Sequence, residues 1–403
     1  MLVESDQELP HCGPPKGGTT MSHDTSNRRI LFAEPSGSKV FMTSTDGIQG
    51  PEALRRVLDG VDRVLVQSHM NPDPDTVGAA LALKLIVEKA FGKEVQACYR
   101  GMVGRAENRE MLRLIGAQFF HVSKVDEFQY EGVLLVDCQP EMGFLPGGTG
   151  LPILGVIDHH PLSAGSRGIP FVDVRPAYGS TSTILVEYLR ELQIEPGPEV
   201  ATGLFYGLKT DTCDLSRRTT PADLEAYEWL RERVDRSFLA RIENPRLTRQ
   251  YFESLVPALG RAMLYGKTVL TEIGSMPYSD MVAEVADRLI RLEGAEWAVC
   301  FGMYGQRIYL SVRTIHSNRD AGSVVKAVLR HDGVGGGHDT MAAGRIQLLD
   351  SSEETYLRVV TTMWDRFLAA VGEDPESGRR LIDGDVFGQR VHAPPSTDAP
   401  PQA

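Results

Sequence analysis

Histidines and aspartates in this sequence recur at the ends of apolar runs, a pattern suited to holding metal ions. RVLVQSH (63–69) leads into His69, Asp73 and Asp75, GVLLVD (132–137) ends on Asp137, and ILGVIDHH (153–160) ends on Asp158, His159 and His160. A further acid, Asp211, lies in GLKTDTCDLSRRTT. Taken singly, any such Asp is as readily a helix cap or a turn residue as a ligand, and Asp211 by itself is an ordinary capping acid. Brought together they are different. Mutual repulsion among buried carboxylates costs several kcal/mol unless protons or cations intervene, and mixed imidazole and carboxylate donors suit a divalent transition ion. In HMNPDPDT, Pro72 and Pro74 restrict the backbone around Asp73 and Asp75. The alternate spacing of these two acids turns their carboxylates different ways, so that one tight loop serves two ions. The plainer reading of the same run is a proline-rich turn leading into a helix.

For these groups to meet, the elements carrying them must be neighbours. Continuous apolar strands at 63–69, 94–99, 132–138, 153–160 and 169–174 alternate with helical patterns near 76–91, 105–115, 179–193 and 197–209. That alternation indicates a doubly wound parallel sheet covered on both faces, in which ligands bind outside the carboxyl ends of the strands. Helical spacing over 219–262 reads as a linker. A second α/β pattern follows: strand KTVLTEI, helix DMVAEVADRLIRLE, a strand pair WAVCFGMY and RIYLSVRTI joined by a Gly-Gln turn, helix AGSVVKAVLR, strand AAGRIQLL, and a helix over 353–371. The expected organisation is a disordered tail over 1–48, a first domain over 49–218, the linker over 219–262, a smaller domain over 263–372, and a disordered tail over 373–403.

At 403 residues, 42% hydrophobic and 24% charged, the chain has a globular composition sufficient for two domains. No run approaches the roughly 18 apolar residues of a membrane span. The start, MLVESDQELPHCGPPKGG, lacks the basic and apolar segments of a secretory signal, so a soluble cytoplasmic protein without membrane contact is expected. Five cysteines, Cys12, Cys98, Cys138, Cys213 and Cys300, form no CxxC pair and read as reduced thiols. A net charge of −12 disfavours coating long nucleic acid, yet leaves a short or small phosphorylated substrate open.

The HxxxDxD loop (His69, Asp73, Asp75), the VDC strand end (Asp137), the IDHH run and the TDT run (Asp211), in that order, resemble the motifs of the DHH phosphoesterase superfamily. That superfamily is named for the triplet found here as Asp158, His159 and His160. GVGGGHDTMAAGRI (333–346) resembles the GGGH and AAG signature of the DHH-associated C-terminal domain in nanoRNA-degrading oligoribonucleases, and SVRT, with Ser311 and Arg313, and DAG at 320–322 fit the same pattern. The resemblance spans about residues 55–370 and implies a DHH domain of doubly wound parallel sheet plus a smaller α/β domain, joined by a helical linker. It implies two divalent metal ions, manganese by family habit, one on His69, Asp73 and Asp137 and the other on Asp75, Asp137, His159 and Asp211, with Asp137 bridging. Asp158 would orient a ligand imidazole, and His160 would face the phosphate as donor or proton shuttle. Arg313, His338 and the backbone N–H groups of Gly335, Gly336 and Gly337 would hold a terminal phosphate or base.

Two positions depart from the oligoribonuclease pattern. Pro74 stands where glycine is frequent, and NPDPD resembles the loop of the manganese-dependent inorganic pyrophosphatases of the same superfamily. Cys213 replaces the glycine common after TDT. The expected activity is hydrolysis of phosphodiester bonds in short RNA or dinucleotides, as an oligoribonuclease-like exonuclease, with a nucleoside 3′,5′-bisphosphate as a further candidate substrate. Its partner would be short single-stranded RNA or a small phosphorylated nucleotide, with a homodimer left open. The alternatives are a manganese-dependent pyrophosphatase or polyphosphatase, which NPDPD favours and GGGH opposes, and a non-catalytic nucleotide-binding regulatory protein.

Overall fold

The computed structural model describes residues 49–140, 150–316 and 319–382, and over them the first half alternates strand and helix as its apolar runs require. In chain order come α1 (Pro51–Val57), β1 (Arg63–Met70), α2 (Pro74–Phe91), β2 (Glu94–Arg100), α3 (Ala106–Ile115), β3 (Phe119–His121), β4 (Gly132–Val136), β5 (Ile153–Asp158), β6 (Phe171–Val174), α4 (Thr181–Glu191) and α5 (Pro198–Asp211). The strands lie in the order β3-β2-β1-β4-β5-β6, and every pairing is parallel. β4 is buried along its whole length and β5 from Leu154 onward, so neither shows polar alternation; both sheet faces are covered. The chain moves outward from β1 to β2 and β3, then returns to lay β4 on the other side of β1. Connections after β1 and β4 leave in opposite directions, which opens a crevice at their carboxyl ends.

α2 lies almost wholly inside, with Val77, Ala80, Leu83, Ile86 and Val87 fully buried. Each Leu or Ile so placed contributes roughly 1.5–3 kcal/mol. Two glycines let the start of α2 lie against the end of α5. A Cβ on Gly78 would stand 2.6 Å from the backbone of Gly203, and one on Gly207 2.6 Å from Cα of Asp75. Asp211 ends α5 about one turn beyond Gly207, so this close crossing carries Asp211 to Asp75.

The segment expected to link the domains holds α6 (Pro221–Arg231), α7 (Arg236–Glu243) and α8 (Arg249–Arg261). These helices divide between the two halves. Asp223 of α6 accepts from Gly179 N at 3.0 Å, and Lys209 of α5 pairs with Glu243 of α7 at 2.6 Å, whereas α8 offers its Ala258 carbonyl to Thr271 of the second sheet.

The second domain comprises β7 (Met263–Tyr265), β8 (Thr268–Ser275), α9 (Met281–Leu289), β9 (Trp297–Tyr304), β10 (Arg307–Thr314), α10 (Ala321–Leu329), β11 (Val334–His338), β12 (Met341–Gln347), α11 (Glu353–Val371) and β13 (Arg379–Arg380). Its strand order is β11-β12-β10-β9-β8-β7-β13, antiparallel except for β8 with β9. Alternation along β9 builds two cores. Trp297, Val299 and Phe301 pack with α10 and α11 residues such as Val325 and Phe367, and Ala298 and Cys300 pack with Val285 and Leu289 of α9. Two expectations change here. VGGGH, not among the expected strands, is an edge strand, and within residues 373–382, assigned to a tail, Arg379 and Arg380 pair with β7. The expected tails at 1–48 and 383–403 lie outside the described residues. No helix among the described residues is long and apolar enough to cross a membrane.

Candidate metal and phosphate site

The crevice beside β1 and β4 collects the residues singled out by spacing. After β1 the chain turns at Asn71, whose φ is 59°; Asn71 N donates to Arg100 O at 3.1 Å, and its Oδ1 accepts from Met102 N at 2.8 Å. Asp73 then caps α2, its Oδ1 accepting from Thr76 N at 3.0 Å. Pro74 occupies the first turn of the helix, where a missing N–H costs nothing. The HMNPDPDT run is thus a strand end, a turn and a helix start in one. Asp137, directly after β4, has φ 56°, a left-handed conformation that Asp tolerates better than most residues.

Three groups of donor atoms meet here, the atoms of each lying within 4.8 Å of one another: His69, Asp73 and Asp137; Asp75, His159 and Asp211; and Asp137, His159 and His160. His69 Nε2 stands 3.9 Å from Asp73 Oδ2 and 3.6 Å from Asp137 Oδ2, while His159 Nε2 is 3.3 Å from Asp211 Oδ2 and 3.8 Å from Asp137 Oδ1. Asp75 is fully buried, and its two oxygens accept from Thr181 N at 2.7 Å and Ser182 N at 2.8 Å, at the electropositive start of α4. The carboxylates of Asp73 and Asp75 do face different groups.

Backbone carbonyls select the tautomers. His69 Nδ1 is 2.7 Å from Met70 O, and His159 Nδ1 is 3.3 Å from Tyr178 O. With Nδ1 so engaged, each Nε2 is the ring atom that faces the carboxylates, and His69 Nε2 also lies 2.6 Å from Thr76 Oγ1. His159 Nε2 is buried and makes no hydrogen bond, although Asp211 Oδ2 lies 3.3 Å away. A divalent cation satisfies both, and the mixed N and O donors suit one of borderline hardness.

Charge coupling tells the same story. Burial would depress His69, but contact with Asp137 and the charge of Asp73 outweigh it and push the imidazole up to about 10. Against the same burial, Asp211 and Asp137 carry His159 well above the usual imidazole range, and Asp158 and Asp137 raise His160. Burial first, then Asp137 and Asp211, drives Asp75 well upward, and burial likewise raises Asp211. Asp137 goes the other way: burial opposes its charge, but His69, His160 and His159 hold it well below the carboxylate range. Without a cation, protons on the imidazoles must balance these acids; a bound ion replaces them.

Asp158 is buried and serves His160. Its Oδ1 accepts from His160 Nδ1 at 2.8 Å and from the backbone N of His159 and His160, and its Oδ2 accepts from Gln139 Nε2 at 2.7 Å. The imidazole that Asp158 orients is therefore His160, expected to face phosphate, and not one of the two expected metal ligands.

In the second domain, Arg313 on β10 is mostly buried. Its Nε donates to Asp287 at 2.5 Å and its Nη1 to Ser311 Oγ at 2.7 Å, while Asp287 also pairs with Arg105 of the first domain at 3.1 Å. Gly335, Gly336 and Gly337, whose N–H groups were expected to hold an anion, lie extended in β11 against β12, none of them at positive φ. Packing explains two of the three. A Cβ on Gly335 would meet Leu329 at 2.5 Å and one on Gly337 the Met341 carbonyl at 2.3 Å, whereas Gly336 faces open space. His338 closes β11, and its side chain lies outside what the structure describes.

Sequence spacing missed the residues that hold the cluster from behind. Thr76 Oγ1 donates to Asp137 Oδ2 at 2.6 Å and Thr181 Oγ1 to Asp137 Oδ1 at 2.8 Å. Gln139, fully buried, also accepts through Oε1 from Ser163 N and Ser166 Oγ, which clamps its amide against Asp158. The hydroxyl run GSTST at 179–183 signals a helix start, and nothing in it reveals the link to Asp137.

The chain matches the DHH family, N-terminal domain, over residues 63–208 and the DHHA1 domain over 266–363. It is 34% identical over 287 residues to an uncharacterized protein of Methanocaldococcus jannaschii, covering 71% of this chain and 58% of that one. It is 27% identical over 305 residues to an A-adding tRNA nucleotidyltransferase of Geobacter sulfurreducens, covering 70% and 32%. It is 28% identical over 165 residues to a probable manganese-dependent inorganic pyrophosphatase of Streptococcus agalactiae, covering 40% and 52%. The chain thus spans about half the length, or less, of these relatives. The fold matches that of an exopolyphosphatase-related protein from Bacteroides fragilis, with a TM-score of 0.61 at 14% identity over 81% of this chain and 99% of that one.

Proposed function

The chain belongs to the DHH phosphoesterase superfamily, with a DHHA1 domain after its DHH domain, and from that membership we propose that it hydrolyses phosphodiester bonds of short RNA or dinucleotides. The observation that carries the reading is the convergence of the His/Asp donor groups, with His159 Nε2 buried and making no hydrogen bond, at the switch point of the parallel sheet. His69, Asp73 and Asp137 would hold one divalent ion and Asp75, Asp137, His159 and Asp211 a second, manganese being the first choice. When bound, such a pair supplies Lewis acidity at phosphorus and a water whose pKa is drawn toward neutral.

The chain's own groups do the rest. Met70 and Tyr178 carbonyls fix the tautomers of His69 and His159. Asp158 fixes the Nδ1 proton of His160, so that its Nε2 is the atom to exchange a proton or donate to the phosphoryl oxygens. The second domain, where Arg313 and the β11 strand lie, would bind the far end of the nucleotide.

Pro74 favours one other substrate class, pyrophosphate or polyphosphate, and a probable pyrophosphatase is among the relatives, 28% identical over 165 residues. The test is a panel of pGpG, a five-nucleotide RNA, 3′-phosphoadenosine 5′-phosphate and pyrophosphate, each with manganese and with chelator. Release of nucleoside monophosphates from pGpG or RNA is expected. Orthophosphate from pyrophosphate alone would replace the reading with the second one, and tight nucleotide binding without turnover would make the protein a binding module.

A further inference from the structure

The loop after Asp211 carries a cation that the donor cluster does not use. Cys213, Asp214 and Leu215 have φ of 48°, 55° and 64°, three successive non-glycine residues in the left-handed region, which L-residues visit singly and seldom in a row. This turn folds the chain back on itself. Arg217 N donates to Thr212 O at 2.9 Å, and Arg217 Nη2 donates to Asp211 O at 2.9 Å. The guanidinium thus lies against the backbone of an acid of the cluster, with no carboxylate partner among the described residues. Its Nη1 is buried without a hydrogen-bond partner. Buried donors left unsatisfied are rare, and one on an arginine beside a phosphoester site is a vacancy for an anionic acceptor.

The neighbouring residue fixes where this loop sits. Arg218 reaches across to Asp339, Nη2 to Oδ2 at 3.6 Å, and Asp339 belongs to the turn between β11 and β12. The loop therefore touches both the donor cluster of the first domain and the turn after the glycine strand of the second.

We propose that Arg217 is a substrate contact, its Nη1 donating to a non-bridging oxygen of the substrate phosphate, and this rests on the phosphoesterase reading above. The planar fork makes the role specific. With Nη2 held on Asp211 O, rotation of the guanidinium is blocked and Nη1 keeps one position relative to Asp211, an arrangement a lysine cannot reproduce.

The experiment uses the full chain loaded with manganese, as wild type, Arg217→Gln and Arg217→Lys. It measures kcat and KM on whichever substrate of the panel the wild type turns over, calorimetric binding of inorganic phosphate, and manganese affinity with Tm. Arg217→Gln is expected to lower kcat/KM by about 100-fold or more and to weaken phosphate binding by about tenfold, with Arg217→Lys recovering only a small part. Manganese affinity and Tm should stay at wild-type values. Activity and phosphate binding within threefold of wild type in Arg217→Gln would overturn the assignment. So would a parallel fall in manganese affinity and Tm, which would make Arg217 a brace for Asp211. If Arg217→Gln does not fold, Arg217→Lys decides in the same way, since it keeps the charge and loses the fork. If the wild type turns over nothing in the panel, the functional reading fails, while phosphate binding by wild type and variant still tests Arg217 by itself.

Discussion

Replacing Gly207 with alanine sets helix propensity against geometry. In an ordinary helix interior the change gains about 1 kcal/mol, because alanine loses less chain entropy than glycine. At this position the new Cβ would lie 2.6 Å from Asp75 Cα, 2.8 Å from Ser182 Oγ and 3.0 Å from the Pro74 carbonyl, where ordinary contact begins near 3.4 Å. Two of these neighbours are backbone, so α5 and α2 must part by about 1 Å. Overpacking of this kind costs about 1–3 kcal/mol, which exceeds or cancels the propensity gain and leaves a net loss of up to about 2 kcal/mol. For a body of this size that lowers Tm by a few degrees, about 2–4 °C per kcal/mol. The local effect is larger, because Asp75 and Asp211 ride on the two helices that separate, and a displacement near 1 Å in a reacting site costs about 100-fold in rate. Calorimetric Tm together with manganese affinity checks both parts. A Tm above wild type with unchanged manganese affinity would refute the close-crossing explanation of how Asp211 reaches Asp75.

Other perturbations bear on separate parts of the structure. Gln139→Ala removes the amide that holds Asp158 Oδ2 and should lower kcat about 10- to 100-fold with manganese stoichiometry unchanged; a rate within twofold of wild type would show that His160 needs no such support. Glu284 is buried on α9, and burial pushes its carboxyl up to about 7, with Glu107 adding to the rise and Tyr278, Arg105 and Arg109 opposing it. A raised folded-state value means the folded chain keeps a proton that the unfolded chain gives up, so stability falls as pH rises from about 4.5 to about 7, by up to about 3 kcal/mol. Glu284→Gln should therefore raise Tm relative to wild type at pH 8 and leave it nearly level at pH 4.5; an equal offset at both values would count against the buried acid. Arg313→Ala should raise KM more than it lowers kcat, read from steady-state kinetics on the accepted substrate.

How far the sequence could be read depended on whether a residue's neighbours were close in the chain. β1, β4 and β5 were legible because a doubly covered parallel strand must be continuously apolar, and the acids at their ends followed from the sheet's geometry. VGGGH was not, since a strand of glycines carries no side-chain pattern; its identity comes from pairing with β12 and from the crowding of Leu329 and Met341. Gly207 looked like any helical glycine until α2 was placed against it. Thr181, Gln139 and Arg217 resembled capping and loop residues. Thr181 meets Asp137 across 44 positions and Gln139 meets Asp158 across 19, distances over which spacing conveys nothing. Asp158 is a different case: it was expected to orient a ligand imidazole, and the imidazole it holds is that of His160.

The most direct measurement is the binding stoichiometry of manganese, by calorimetry on chelator-stripped chain, for wild type and Asp137→Asn. Asp137 touches both His69 and His159, so the wild type should bind two ions per chain and the variant should lose at least one of them together with all phosphoester turnover. A wild type that binds no manganese, or an Asp137→Asn chain that binds two ions as tightly and stays active, would contradict the two-ion site.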